Sequence, residues 1–149
     1  MLAQAIRVAV LRRVALIALL TTGCAADPEE TEPECVEVPA SCNPLYPPTF
    51  ANVFDNTLLP TCGSDAGSCH GPNARQAGLL FAEASESHAL LLGERDGRAR
   101  VKPGDPSCSK LIVRTHSLGK PWQMPPGEPL SGPERCAIAE WVRSGAERN

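Results

Sequence analysis

What most limits the folds open to this chain is a supply of cross-linking side chains set against a thin supply of large apolar ones. Its 149 residues include seven Cys but only three Phe, two Trp and one Tyr, alongside 15 Pro and 12 Gly. Ordering a domain of about 100 residues costs on the order of 100 kcal/mol in conformational entropy. So few bulky apolar groups leave the core in need of a supplement. Disulfides supply about 2 to 4 kcal/mol each, and a large apolar group enclosed by loops would serve the same end.

The N-terminus sets the redox compartment. Arg7, Arg12 and Arg13 make a positive leader, Val14 to Leu20 is an apolar run too short for a membrane span, and Thr21-Thr22-Gly23 leads into Cys24. This resembles a bacterial lipoprotein signal, in which the cysteine after the small residues becomes the lipid-modified first residue. The alternative is an ordinary secretory peptide cut elsewhere, such as after Ala26. Both readings export the domain, to the periplasm-facing side or the outer membrane. The division is then 1–23 signal peptide, 24–48 tether and 49–149 folded domain.

Charge supports that division. Asp27, Glu29, Glu30, Glu32, Glu34 and Glu37 are six acids with no base among them, spaced by Pro28 and Pro33, which predicts a solvated, extended segment. Of 14 bases and 17 acids, the rest of the chain keeps 11 of each once the leader arginines and these acids are set aside. A balanced domain argues against a nucleic-acid partner, which calls for a basic surface.

With Cys24 assigned to lipid, Cys35, Cys42, Cys62, Cys69, Cys108 and Cys136 remain. An even number in an oxidising compartment reads as disulfides, and sequence alone permits 15 pairings. Cys35 with Cys42 would close a small loop at the neck of the tether, and Cys108 with Cys136 would link two predicted helices. That leaves Cys62 and Cys69 as either a third disulfide or attachment points for a cofactor.

The elements read as helices joined by long loops. Thr49 caps a helix whose apolar residues Phe50, Val53, Phe54 and Leu58 recur at three and four, with Pro60 ending it. Ser85 or Ser87 is positioned to cap a second helix through Leu92, stopped by Gly93. Arg95, Arg98, Arg100 and Lys102 form a turn-rich basic stretch, read first as solvated surface and second as a docking patch for an acidic redox partner. Asp105-Pro106 starts a third helix that ends between His116 and Gly119. Pro121 to Gly127, containing Met124, is too proline-rich for helix or central strand. Ser131 and Glu134 form a capping box on a last helix with an apolar stripe from Cys136 to Val142, and Gly145 marks its end. No segment alternates cleanly enough for a strand, so the fold class is mainly α.

Cys69-His70 is the attachment end of a c-type haem signature, C-x-x-C-H, although six residues rather than two separate Cys62 from Cys69. Ser64, Asp65, Ala66 and Gly67 are types that tolerate a tight excursion, so the insertion can loop out while Cys62 returns to the site. A zinc site from Cys62, Cys69 and His70 lacks a fourth ligand at zinc spacing. No nucleophile and base pairing suggests an enzyme.

From about Thr49 to Ala146 the chain resembles the cytochrome c superfamily, and most of all the cytochrome c-like domains of exported lipoproteins in planctomycetes and myxobacteria. The resemblance rests on four landmarks in order: a helix leading to Cys62 through Gly71, the Pro103-Gly104-Asp105-Pro106 turn before a helix, the Met124-Pro125-Pro126 segment, and a closing helix with Trp141 and Gly145-Ala146. It implies a small orthogonal helical domain with long loops, one haem c and electron transfer. It also implies thioether attachment through Cys62 and Cys69, with His70 as proximal and Met124 as distal iron ligand, ahead of His116 and His88. The rival is a haem-free, disulfide-stapled lipoprotein with a binding or scaffolding role, which requires Cys62 to pair with Cys69.

Overall fold

A computed structural model describes residues 30–63 and 69–149. The chain divides into two compact units, Met1–Glu30 and Thr31–Asn149. The expected signal peptide and Cys24 lie outside the described residues, as do Ser64, Asp65, Ala66 and Gly67. The second unit is mainly helical.

Helix α1 (Phe50–Val53) begins where expected. Thr49 is extended and its hydroxyl accepts from the Asn52 N–H. It does not stop before Pro60. The chain instead widens into a π-helical segment, Phe54–Gly63, that carries Pro60 inside it. Proline has no N–H for the i→i−4 ladder and its ring crowds the preceding turn, so an α-helical continuation is closed to it. The wider coil lets the segment run on while Phe54, Thr57 and Leu58 stay buried.

Helix α2 (Ala84–Leu91) is capped by Glu83 and not by either serine. The Glu83 carboxylate accepts from the backbone N–H groups of Ser85 and Glu86 at 3.0 and 2.9 Å. Ser87 is unavailable as a cap because it is buried, its hydroxyl donating to Leu80 O. A two-residue ribbon follows, β1 (Glu94–Arg95) against β2 (Arg98–Ala99), antiparallel, with Arg95 opposite Arg98. Asp96 and Gly97 both take positive φ there, the backbone of a tight two-residue hairpin. Pairs this short carry no legible alternation, so the sequence shows only a turn.

Helix α3 (Lys110–His116) starts four residues later than Asp105-Pro106 suggests. Asp105 caps a turn, accepting from the Cys108 N–H, while the buried Ser109 hydroxyl donates to Asp105 O and accepts from the Lys102 N–H. Those bonds hold residues 105–109 as a turn. Helix α4 (Gly132–Arg143) has the full capping box, Ser131 Oγ with the Glu134 N–H and Glu134 Oε2 with the Ser131 N–H. Its apolar face, including Ile138, Trp141 and Val142, meets Phe50, Leu58, Phe81, Leu91 and Ile112 in one core.

Residues 31–48 depart most from expectation. From Glu32 onward the acidic stretch straps across the domain and is not a free tether, although Glu34 and Glu37 stay exposed. Glu32 accepts from Arg114 Nε and an Arg114 terminal nitrogen at 3.0 and 2.7 Å, Arg98 donates to Pro33 O and Glu34 O, and Val36, Val38 and Tyr46 pack on the core. The disulfides follow this path. Cys35 bonds Cys108 and Cys42 bonds Cys136, replacing the expected 35–42 and 108–136 pairs. Each bridge staples the strap to a helix or its approach, because the carboxylates and apolar residues of the strap find partners far along the chain. Joint replacement of Cys42 and Cys136 by Ala should lower the unfolding free energy by about 2 to 4 kcal/mol in a denaturant titration. Unchanged stability would contradict a covalently stapled strap.

Candidate functional site

The π-helical segment delivers Cys62 and Gly63 to the core edge. Gly63 is obligatory on steric grounds, since a Cβ there would lie 1.9 Å from the Phe81 carbonyl oxygen. The chain returns at Cys69, and the His70 N–H donates to the Cys62 carbonyl at 3.1 Å. The two ends of the stretched cysteine motif therefore meet through their backbones. From the next residues Phe81 N–H donates to His70 O, and Gln76 N–H donates to Cys69 O, at 2.8 Å each.

His70 is half-buried and edge-on to the Phe81 ring, with centroids 5.4 Å apart. Its Nδ1 lies 3.0 Å from Gln76 O. A carbonyl can only accept, so Nδ1 carries the proton and Nε2 the lone pair, which is the arrangement of a metal-ligating histidine. Burial lowers the His70 pKa, opposed by the Gln76 carbonyl and aided by the Arg114 charge. The ring is thereby kept neutral and able to donate its lone pair near neutral pH.

Met124 comes from the proline-rich loop. Its N–H donates to Arg114 O at 2.9 Å and its bond to Pro125 is cis. The buried Gln123 frames that loop: its side-chain oxygen accepts from the Gly119 N–H, and its nitrogen donates to Pro125 O and Gly127 O. Nothing in the sequence pattern distinguishes Gln123 from a solvated loop residue. Trp122 Nε1, in the same loop, is buried with no hydrogen-bond partner among the described residues.

Cys62, Cys69, His70 and Met124 all line one cleft of about 300 Å³, walled by Leu58, Leu79, Phe81, Leu91, Leu111 and Leu130. Neither cysteine is in a disulfide. The other two histidines lie elsewhere. His88 is half-buried, its Nε2 2.8 Å from Ala146 O and its ring packed on Phe50 and Trp141. His116 sits at the end of α3 beside Thr115 Oγ1, its pKa lowered chiefly by burial. Among the described residues the one converging trio of ligating side chains is Cys42, Cys136 and Glu140, and its two sulfurs are bonded to each other. A zinc site at Cys62, Cys69 and His70 gains no support.

The basic stretch is split: Arg95 and Lys102 are exposed, whereas Arg98 and Arg100 are half-buried and engaged in the fold. Arg100 donates to Leu90 O and Ala77 O, Arg98 grips the strap, and Lys102 pairs with Asp105 at 2.7 Å.

Residues 67–128 match the family model described as Planctomycete cytochrome C. This segment is cytochrome c-like. The match takes in Cys69, His70 and Met124 and begins after Cys62, so the stretched spacing falls at its edge. No curated protein and no solved structure matches the chain. In the cytochrome c-like segment and at its edge the two free thiols differ. Burial, with the neighbouring Cys69 and Glu134 adding to it, pushes the Cys62 thiol up to about 11, whereas Cys69 is exposed. A raised thiol pKa keeps the group protonated at mildly alkaline pH, where an ordinary thiol is partly ionised. Iodoacetamide at pH 8 should therefore label Cys69 of the haem-free chain many times faster than Cys62, read by peptide mass; equal labelling rates would contradict this site geometry.

Proposed function

We propose that this chain is a haem-binding electron carrier, exported and held at a membrane by lipid on Cys24, and not a catalyst. One observation carries the reading: the cleft gathers two free thiols, a histidine whose Nδ1 is committed to a carbonyl, and a methionine in a fixed loop. The residues present fit a c-type haem. Cys62 and Cys69 would hold it covalently, and His70 Nε2 and the Met124 sulfur would ligate its iron. When bound, the haem supplies a one-electron iron couple.

The chain's own groups do the rest. The Gln76 carbonyl fixes the His70 tautomer and raises the basicity of Nε2. Gln123 holds the Met124 loop, and a Met124 thioether ligand would raise the reduction potential of a bound haem. The leucine walls would limit the access of water to a bound haem, which favours its reduced state. An orthogonal packing of α1, α3 and α4 is the arrangement this function implies, and a redox protein is the partner class. The rival, a haem-free stapled module, needs a Cys62–Cys69 disulfide, and the free state of both thiols counts against it.

The reduced, exported protein should show a c-type α band that His70→Ala abolishes in its native form. Met124→Ala should lower the midpoint potential, and an unchanged potential would strike Met124 from the ligands. Cys24→Ala should move the protein from the membrane to the soluble fraction; retention at the membrane would reject the lipid anchor.

A further inference from the structure

The turn that orients His70 is strained, and one distant side chain pins it. Gln76, whose carbonyl accepts from His70 Nδ1, lies between two left-handed non-glycine residues, Arg75 at φ 44° and Ala77 at φ 55°. Each such conformation disfavours an L side chain and persists only where the surroundings fix it. Backbone bonds fix one side, from Gln76 N–H to Cys69 O and Arg75 N–H to Gly71 O, and the Leu79 N–H donates to the Gln76 carbonyl as well. The Arg100 guanidinium fixes the other, donating to Ala77 O at 2.9 Å and, from its second terminal nitrogen, to Leu90 O near the end of α2 at 2.9 Å. Arg100 itself is anchored by its backbone, its N–H on Gly93 O and its carbonyl accepting from the Leu111 N–H. The fork of the guanidinium spans two carbonyls that belong to separate elements, a geometry that an ammonium cannot copy.

We propose that Arg100 is a positioning residue for His70. It holds the Ala77 carbonyl and so keeps the left-handed turn in place. That turn presents the Gln76 carbonyl to Nδ1 and leaves Nε2 as the nitrogen that carries the lone pair. The role rests on the reading of His70 as an iron ligand, and it assigns to Arg100 a task that its place in a basic, turn-rich stretch does not suggest. The charge of Arg100 is incidental to it; the two directed N–H donors are what matter.

The test uses the full chain, ¹⁵N-labelled and haem-free, with long-range ¹H–¹⁵N correlation of the His70 ring and a urea midpoint measured in parallel. The parent should show His70 in the Nδ1–H form. Arg100→Met should cut the population of that form several-fold, and Arg100→Lys should fail to restore it. Ala77→Gly removes the penalty for the left-handed turn. Combined with Arg100→Met it should recover most of the Nδ1–H form, and alone it should keep that form and raise the urea midpoint. An Nδ1–H population unchanged in a folded Arg100→Met variant overturns the proposal, as does failure of Ala77→Gly to rescue it. A chain that shows these tautomer responses but never takes up haem overturns the functional reading while the positioning role stands. A chain that takes up haem with no tautomer response does the reverse.

Discussion

The hydrogen bond from the His70 N–H to the Cys62 carbonyl joins the two ends of a motif that the sequence shows as stretched. Closing a flexible loop costs about 0.6 kcal/mol for each doubling of its length. Going from two intervening residues to six is roughly one and a half doublings, so the added cost is comparable with what a typical single hydrogen bond contributes. The spacing is thus a weak obstacle to bringing both thiols to one cleft. What matters is whether rigid elements flank the insertion, and they do. The π-helical segment ends at Gly63 against the Phe81 carbonyl, and Cys69-His70 is bonded onward to Gln76 and Phe81. The cytochrome c-like segment and the cysteine that precedes it are therefore parts of one site.

The second constraint is the poverty of the core. Phe50, Phe54, Phe81 and Trp141 supply nearly all its aromatic mass, and the strap from residue 31 to 48 covers what they leave. Disulfides at Cys35 and Cys42 tie that strap to Cys108 and Cys136, and the Glu32 pair with Arg114 ties it to the cleft wall. Arg114 also holds Met124 through its carbonyl and bears on His70 through its charge. The strap, whose acidic composition reads as a solvated tether, therefore touches the cleft through Arg114, the residue that also holds Met124 and bears on His70.

Local signals are the ones legible in the sequence. The capping box of Ser131 and Glu134, the Thr49 cap and the 3.6-residue stripe of α4 depend on neighbours within one turn, and spacing alone reveals each. Features escape such reading where a residue's partner lies far along the chain or where a local preference is outcompeted. Glu83, an uncommon cap, displaces Ser85 and Ser87 because Ser87 is needed inside, against Leu80 O. Pro60 does not end its helix because the backbone can widen around it. The disulfide pairing follows long-range packing and not loop length. For the site, Cys69, His70 and Met124 stand out by type and context, whereas Gln123 and Arg100 act through carbonyls that no spacing rule connects to them.

The central claim is that Cys62 and Cys69 are reserved for a cofactor and not for each other. An intact-mass measurement on the chain purified after export, without reductant, tests it most directly. The expected mass is that of the mature chain with its Cys24 lipid plus one haem, with four hydrogens lost to the Cys35–Cys108 and Cys42–Cys136 bridges. A haem-free mass with six hydrogens lost, and a Cys62–Cys69 bridge in its peptide map, would contradict it.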